Sequence, residues 1–163
     1  MTDYQTLIGT LVNGEVEFVI VGGLAATVHG SARLTQDIDV VYARSDANLE
    51  RLAPSLAPLT PYLRGAPADL PFEWSVQTLR HGLNFTLTTA AGDIDLLGEI
   101  TGGGGYESLL PHTLEIELFG HRCRCLDLEW LILTKRAAGR PRDLETVAEL
   151  EVLLEERDVS GAV

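Results

Sequence analysis

Two glycines that close an apolar run, Gly22-Gly23, and two aspartates one residue apart, Asp37 and Asp39, carry the strongest chemical signal in the chain, with Asp95 on a separate β-like segment. In an extended strand alternate side chains share a face, so Asp37 and Asp39 stand about 6.7 Å apart along one side, and a neighbouring strand lies about 4.8 Å away. If Asp95 sits on such a neighbour, three carboxylates surround one small volume. Unneutralised, they repel one another and raise each other's pKa, so the cluster is costly without a divalent cation. Hard oxygen donors with open positions suit Mg²⁺ or Mn²⁺ bound jointly with a phosphate-bearing substrate. The glycine pair adds the other half of a phosphate site, because backbone without a Cβ can approach the ligand and the next helix opens with free N–H groups.

These residues need a scaffold, and the hydrophobic pattern supplies one. Tyr4, Leu7, Ile8 and Leu11 recur at helical spacing and predict an amphipathic helix over 3–12. The run Phe18-Val19-Ile20-Val21 reads as a buried strand ending at the glycines, a short helix follows over 24–29, and the segment from Asp37 to Tyr42 is a second strand. Ser45 caps a helix over 46–56, and the prolines at 54, 58, 61 and 67 mark a loop. A short helix over 72–80 precedes a hairpin of 83–88 with 94–97, in which Gly92-Asp93 reads as the turn. Residues 102–105, all glycine, form a flexible loop, and 114–118 pairs with 121–126 around Gly120. Two helices close the chain, 128–138 stopped by Gly139 and another opened by Pro141 that turns Leu144, Val147, Leu150 and Leu154 inward. The fold class is therefore α/β (α+β): a mixed central sheet covered by helices, in a single domain spanning 1–163.

Composition narrows the function. A length of 163 residues with 45% hydrophobic and 22% charged residues supports one sizeable core. Twelve basic against 24 acidic residues leave a net charge of −12, which argues against general DNA binding while allowing a local basic pocket. No apolar run is long enough for a membrane helix, the start Met1-Thr2-Asp3 lacks the basic region of a signal peptide, and the two cysteines are too close for a disulfide framework. No membrane association and a cytoplasmic location are the expectations.

The stretch from Val21 to Ala26, with His29-Gly30, Arg33, Thr35 and the run from Asp37 to Val40, resembles the nucleotidyltransferase superfamily of the polymerase-beta type, in its minimal bacterial branch related to abortive-infection (toxin–antitoxin) proteins. Gly23 stands where many members have serine, Asp95 within Gly92-Asp93-Ile94-Asp95-Leu96-Leu97 looks like the third carboxylate, and the stretch from Leu131 to Asp143 matches a pattern common in the branch. The resemblance implies a nucleotidyltransferase-like fold, a metal-dependent enzyme moving a nucleoside monophosphate from an NTP to a hydroxyl acceptor (a protein, a tRNA end or a small molecule), and a cognate partner protein. It implies that Asp37 and Asp39 hold the metal gripping the NTP phosphates, that Asp95 activates the acceptor through a second metal, and that Arg33 and Lys135 neutralise the triphosphate. Asp93 competes with Asp95 for the third role; the turn-like Gly92-Asp93 favours Asp95. Gly22, Gly23, Arg33, Thr35, Arg140 and Asp143 make up the nucleotide-binding set, although Arg140 and Asp143 are also well placed to cap and orient the last helix.

Other patterns carry less. His121, Cys123 and Cys125 share one strand face, but a straight strand spreads them over more than about 13 Å, so buried core cysteines are expected rather than a zinc site. His29 reads as structural. The Gly-x-Gly-x-x-Gly spacing of a dinucleotide fold is absent, and a glycosyltransferase using Asp-x-Asp would need more chain for its nucleotide-sugar domain. The competing class is a non-catalytic module that keeps the fold and binds nucleotide or a partner.

Overall fold

A computed structural model describes residues 1–161, and its centre is a seven-stranded mixed sheet. In chain order the helix α1 (Tyr4–Asn13) leads to β1 (Phe18–Val21), α2 (Gly22–Val28), β2 (Asp37–Tyr42) and α3 (Asp46–Leu56). The short β3 (Tyr62–Leu63) and α4 (Val76–His81) precede β4 (Phe85–Thr89) and β5 (Gly92–Leu97). A small hairpin of β6 (Glu99–Ile100) with β7 (Gly104–Gly105) runs into α5 (Tyr106–Leu109), then β8 (Thr113–Leu118), β9 (His121–Leu126), α6 (Leu128–Ala138) and α7 (Pro141–Ser160). The sheet order is β3-β4-β5-β2-β1-β9-β8, with β2 parallel to β5 and β1 parallel to β9 inside otherwise antiparallel pairs. This is the mixed, helix-covered sheet expected from the sequence, with α6 and α7 packed together at the C-terminal end. No helix among the described residues is long and apolar enough to cross a membrane.

Local chemistry sets the element ends. Asp3 accepts the Thr6 N–H to cap α1, Ser45 accepts that of Asn48 to cap α3, and Asp127 accepts that of Trp130 to cap α6. The α1 stripe of Leu7, Ile8 and Leu11 is fully buried, as are Val19 and Ile20 of β1 and Ile38, Val40 and Val41 of β2, so one continuous core fixes the two central strands. Asn48, itself fully buried, accepts from the Glu17 N–H at 2.7 Å and donates to the Glu17 and Ala43 carbonyls at 3.1 and 2.7 Å. Its amide thereby ties the entry of β1, the strand that leads into Gly22, to the exit of β2, the strand that carries Asp39.

Four expectations are corrected. Pro54 lies inside the last turn of α3 rather than in the loop, because Leu52, Ala53 and Leu56 are buried and carry the helix past it. The glycines at 102–105 are not a free loop: they turn and form β7, and a Cβ on Gly103 would meet Leu109 at 2.9 Å and Thr134 at 3.0 Å, so glycine there permits close packing under α6. Leu144 is 51% exposed, while Val147 and Leu150 point into the core and Leu154 packs at its edge. Gly92 and Asp93 belong to β5, and the turn falls at Ala90-Ala91, where the Thr89 hydroxyl accepts the Ala91 N–H at 3.0 Å and donates to the Gly92 carbonyl at 2.8 Å.

Replacing Asn48 with alanine removes three hydrogen bonds to the main chain: the Glu17 N–H and the Ala43 carbonyl lose this partner, while the Glu17 carbonyl keeps the Ala43 N–H. Asn48→Ala should lower unfolding stability by about 2–3 kcal/mol, read from the urea midpoint with an unchanged m-value.

Candidate active site

The parallel pairing of β2 with β5 sets Asp37 opposite Asp93 and Asp39 opposite Asp95. Between them Ile38, Ile94, Val40 and Leu96 turn to the other side and are fully buried. Four carboxylates therefore share one face of the sheet while its reverse is packed into the core. Donor oxygens of Asp37, Asp39 and Asp95 all lie within 4.8 Å of one another, and Asp93 stands outside that trio. Both Asp93 and Asp95 share the face, as strand alternation requires once Asp93 is inside β5, and it is Asp95 that meets Asp37 and Asp39.

Burial, the Asp37 charge, a hydrogen bond with Asp95 and the Asp95 charge together push Asp39 up to about 8, while the Lys135 charge opposes them. A carboxylate so displaced marks a site where burial and neighbouring acids disfavour its charge more than Lys135 supports it. Three oxygen donors in that state fit a hard divalent cation.

The glycines pack tightly against this face. Gly22 takes φ +66°, and a Cβ on it would collide with the Asp39 carboxylate, so the strand-to-helix turn closes directly behind that side chain. A Cβ on Gly23 would lie 2.8 Å from the Thr35 hydroxyl, which in turn donates to the Asp37 carbonyl at 3.0 Å and approaches Asp37 Oδ1 at 3.3 Å. Thr35 thus supports the first carboxylate from below, and Tyr4 of α1 donates its hydroxyl to the Thr35 carbonyl. No side chain caps the start of α2.

Lys135 and Arg140 approach from the C-terminal helices. Asp143, almost wholly buried, accepts from Arg140 Nε at 2.6 Å, Nη2 at 3.2 Å and its backbone N–H at 3.3 Å, and lies 3.9 Å from Lys135 Nζ. Burial would raise the Asp143 carboxyl, but the Arg140 hydrogen bonds with the Arg140 and Lys135 charges hold it below its ordinary value. Burial lowers Lys135 against the pull of Asp143 and Asp39. Asp143 therefore combines the cap expected from the sequence with the orientation of two cations.

Two cavities meet at Asp39, Leu97, Lys135, Arg140 and Asp143. One of about 460 Å³ adds Gly23, Arg33, Thr35, Asp37, Asp95 and Arg142; the other, of about 420 Å³, adds Gly22 and the apolar Val21, Ile100 and Leu131. Arg33 is half-exposed on the first wall, 3.7 Å from both Glu145 and Glu149 of α7. All the sequence-derived candidates thus line or directly support one composite cleft.

The sequence reading passed over Arg64, which lies just past β3 in the proline-rich stretch. Its guanidinium reaches Asp95 Oδ1 at 2.9 Å, Asp93 Oδ2 at 3.4 Å and Asp37 Oδ2 at 3.7 Å. No local pattern announces it, because only the β3–β4 pairing brings it over β5. His29 is structural, its Nε2 lying 2.8 Å from the Leu126 carbonyl. Cys123 and Cys125 are buried free thiols that burial pushes up to about 11 and about 12. Neither joins His121 in a metal cluster among the described residues.

Solved nucleotidyltransferases share this architecture. The chain superposes on the lincosamide antibiotic adenylyltransferase LnuA, in its lincomycin-bound form, with a TM-score of 0.60 and 14% identity over 93% of this chain and 98% of that one. It matches ANT(2'')-Ia in complex with adenylyl-2''-tobramycin at 0.52 and 16%, covering 99% and 100%. An antigenic nucleotidyltransferase-like protein from Paracoccidioides brasiliensis matches at 0.52 and 15%, covering 94% and 76%. No family model and no curated protein matches the chain. The fold is that of nucleotidyltransferases.

The Asp39 shift has a signed consequence. Folded Asp39 keeps its proton to about pH 8, whereas the unfolded chain loses it near the ordinary 3.8, so folding takes up a proton in between. Its contribution is fully present below pH 4 and is lost as pH rises towards 8. In EDTA, Asp39→Asn should have a higher Tm than the parent at pH 8 and nearly the same Tm at pH 4. A lower Tm at pH 8 would show that the carboxylate is held by favourable partners instead.

Proposed function

We propose that the chain is a Mg²⁺- or Mn²⁺-dependent nucleotidyltransferase that moves a nucleoside monophosphate from an NTP to a hydroxyl acceptor. The observation that carries the reading is the convergence of Asp37, Asp39 and Asp95 at the edge of a cavity walled by Arg33, Lys135, Arg140 and Arg142. A carboxylate cluster beside a cationic wall suits a triphosphate accompanied by a divalent cation, and such a pairing is what in-line displacement at phosphorus needs. The adenylyltransferase neighbours, one with lincomycin and one with an adenylylated tobramycin, share the fold in which this cluster sits.

In this reading Asp37 and Asp39 would hold the cation, which when bound stabilises charge on the phosphates. Gly22 and Gly23 keep the turn behind the carboxylates free of side chain, and Thr35 holds Asp37 in place. Lys135 and Arg140, oriented by Asp143, meet phosphate charge from the helix side, and Arg33 and Arg142 extend that wall. Asp95 faces the acceptor. The acceptor oxygen bonds to the α-phosphorus, its proton passes to Asp95, the α–β bridging P–O bond breaks and pyrophosphate leaves. Acceptors in this proposal are a protein side chain, a tRNA end or a small molecule. The net charge of −12 confines any nucleic acid to the local basic wall. The resemblance to the toxin–antitoxin branch extends the proposal to a cytoplasmic defence setting with a cognate partner protein.

Incubating the protein with each α-labelled NTP, Mg²⁺ or Mn²⁺, and separate protein, tRNA and small-hydroxyl acceptors should move label to one class with release of pyrophosphate. Asp39→Asn should lose roughly a thousandfold or more of that rate, the several kcal/mol that a lost metal grip removes. Cation-dependent NTP binding without transfer to any acceptor would make the chain a non-catalytic nucleotide-binding module with the same fold.

A further inference from the structure

The resemblance to the polymerase-beta type assigns Asp95 a second metal, but in this chain a guanidinium stands there. Arg64 Nη2 donates to Asp95 Oδ1 at 2.9 Å and to the Leu87 carbonyl at 2.7 Å, and Nε, which makes no hydrogen bond, faces Asp93 Oδ2 at 3.4 Å. The arginine is not a swinging surface side chain. Its backbone N–H donates to the Thr86 carbonyl at 3.0 Å, and Thr86 is the register partner of Asp95, so the sheet itself sets the guanidinium over that carboxylate. Arg64 is 27% exposed at its side chain.

We propose that Arg64 is the resident second cation of the active site, covering the Asp95 side of the carboxylate face so that one divalent cation, held by Asp37 and Asp39, serves the reaction. The inference rests on the nucleotidyltransferase reading above. A guanidinium cannot give up its charge, and its planar fork spans carboxylates in a way a point charge does not. It removes part of the repulsion that a second divalent ion would otherwise relieve, and its positive charge repels any such ion approaching Asp95. Asp37 and Asp39 accept no arginine hydrogen bond among the described residues, Arg64 Nη1 standing at ion-pair distance from Asp37 Oδ2, 3.7 Å, so they are the pair left to ligate a metal. Asp95, anchored at Oδ1 by Arg64, is the carboxylate that takes the acceptor proton. Arg64 is a positioning residue for Asp95 in this account, and it makes a lone metal sufficient.

Counting bound Mn²⁺ tests the assignment without relying on turnover. Electron paramagnetic resonance of the full-length chain, saturated with a non-hydrolysable NTP analogue, should give one tightly bound Mn²⁺ per nucleotide. Arg64→Gln should admit a second, and Arg64→Lys, which keeps the charge, should stay at one; circular dichroism checks that each variant is folded. Two ions in the parent protein would overturn the proposal whatever the variants do, as would one ion in a folded Arg64→Gln. Two ions in a folded Arg64→Lys would also overturn it. Absence of any Mn²⁺-dependent nucleotide binding would instead overturn the nucleotidyltransferase reading, and this inference would fall with it.

Discussion

Like-charge repulsion, held in register by the pairing of β2 with β5, is the constraint around which this molecule is organised. Asp37 and Asp39 face Asp93 and Asp95 across two adjacent strands whose other face is sealed by Ile38, Val40, Ile94 and Leu96. The aspartates cannot turn away without unpacking that core, since a one-residue slip would bury four carboxylates. Burial of Asp39 first, and then its acidic neighbours Asp37 and Asp95, displace its carboxyl to about 8 in this arrangement. Residues kept together at such a cost fit a site whose stabilising partner arrives from solution.

The surrounding structure supplies positive charge from two independent directions. Arg64 reaches over β5 from the sheet edge, and Lys135 approaches from α6 with Arg140 at the start of α7. Asp143 couples the latter two, because its buried carboxylate is shared between them. The sheet side thus sets one guanidinium among Asp37, Asp93 and Asp95, the helix side faces Asp39, and the cleft between opens onto Arg33 and Arg142. The two sides differ in chemistry: a sheet-anchored guanidinium on one, and on the other an ammonium that burial makes less willing to stay charged.

What was legible in the sequence was local. Phe18-Val19-Ile20-Val21 is a strand because four consecutive apolar residues, three of them β-branched, are buried on both faces, and α3 and α6 start where Ser45 and Asp127 can accept an N–H. Asp37 and Asp39 on one face follow from strand alternation alone, and the choice of Asp95 over Asp93 agrees with the observed trio even though Gly92-Asp93 is strand rather than turn. The departures depend on distant contacts. Pro54 stays helical because its neighbours find a core, the glycines at 102–105 are ordered by α5 and α6, and Leu144 faces outward because the buried arc of α7 runs through Asp143, Val147 and Leu150. Arg64 was invisible for the same reason, since nothing near it in the chain shows that β3 will pair beside β4. Thr35 and Gly23, read as nucleotide contacts, both line the cleft, and a Cβ on Gly23 would press on the same Thr35 hydroxyl that donates to the Asp37 carbonyl.

The account stands on one claim, that the carboxylate face takes a nucleotide only together with a cation. Isothermal titration of a non-hydrolysable ATP analogue at fixed ionic strength, once in Mg²⁺ and once in EDTA, addresses it most directly. The account predicts saturable binding in Mg²⁺ that weakens by more than roughly tenfold in EDTA, about 1.4 kcal/mol or more, because the triphosphate then meets uncompensated aspartates. Equal affinity in the two conditions would contradict it.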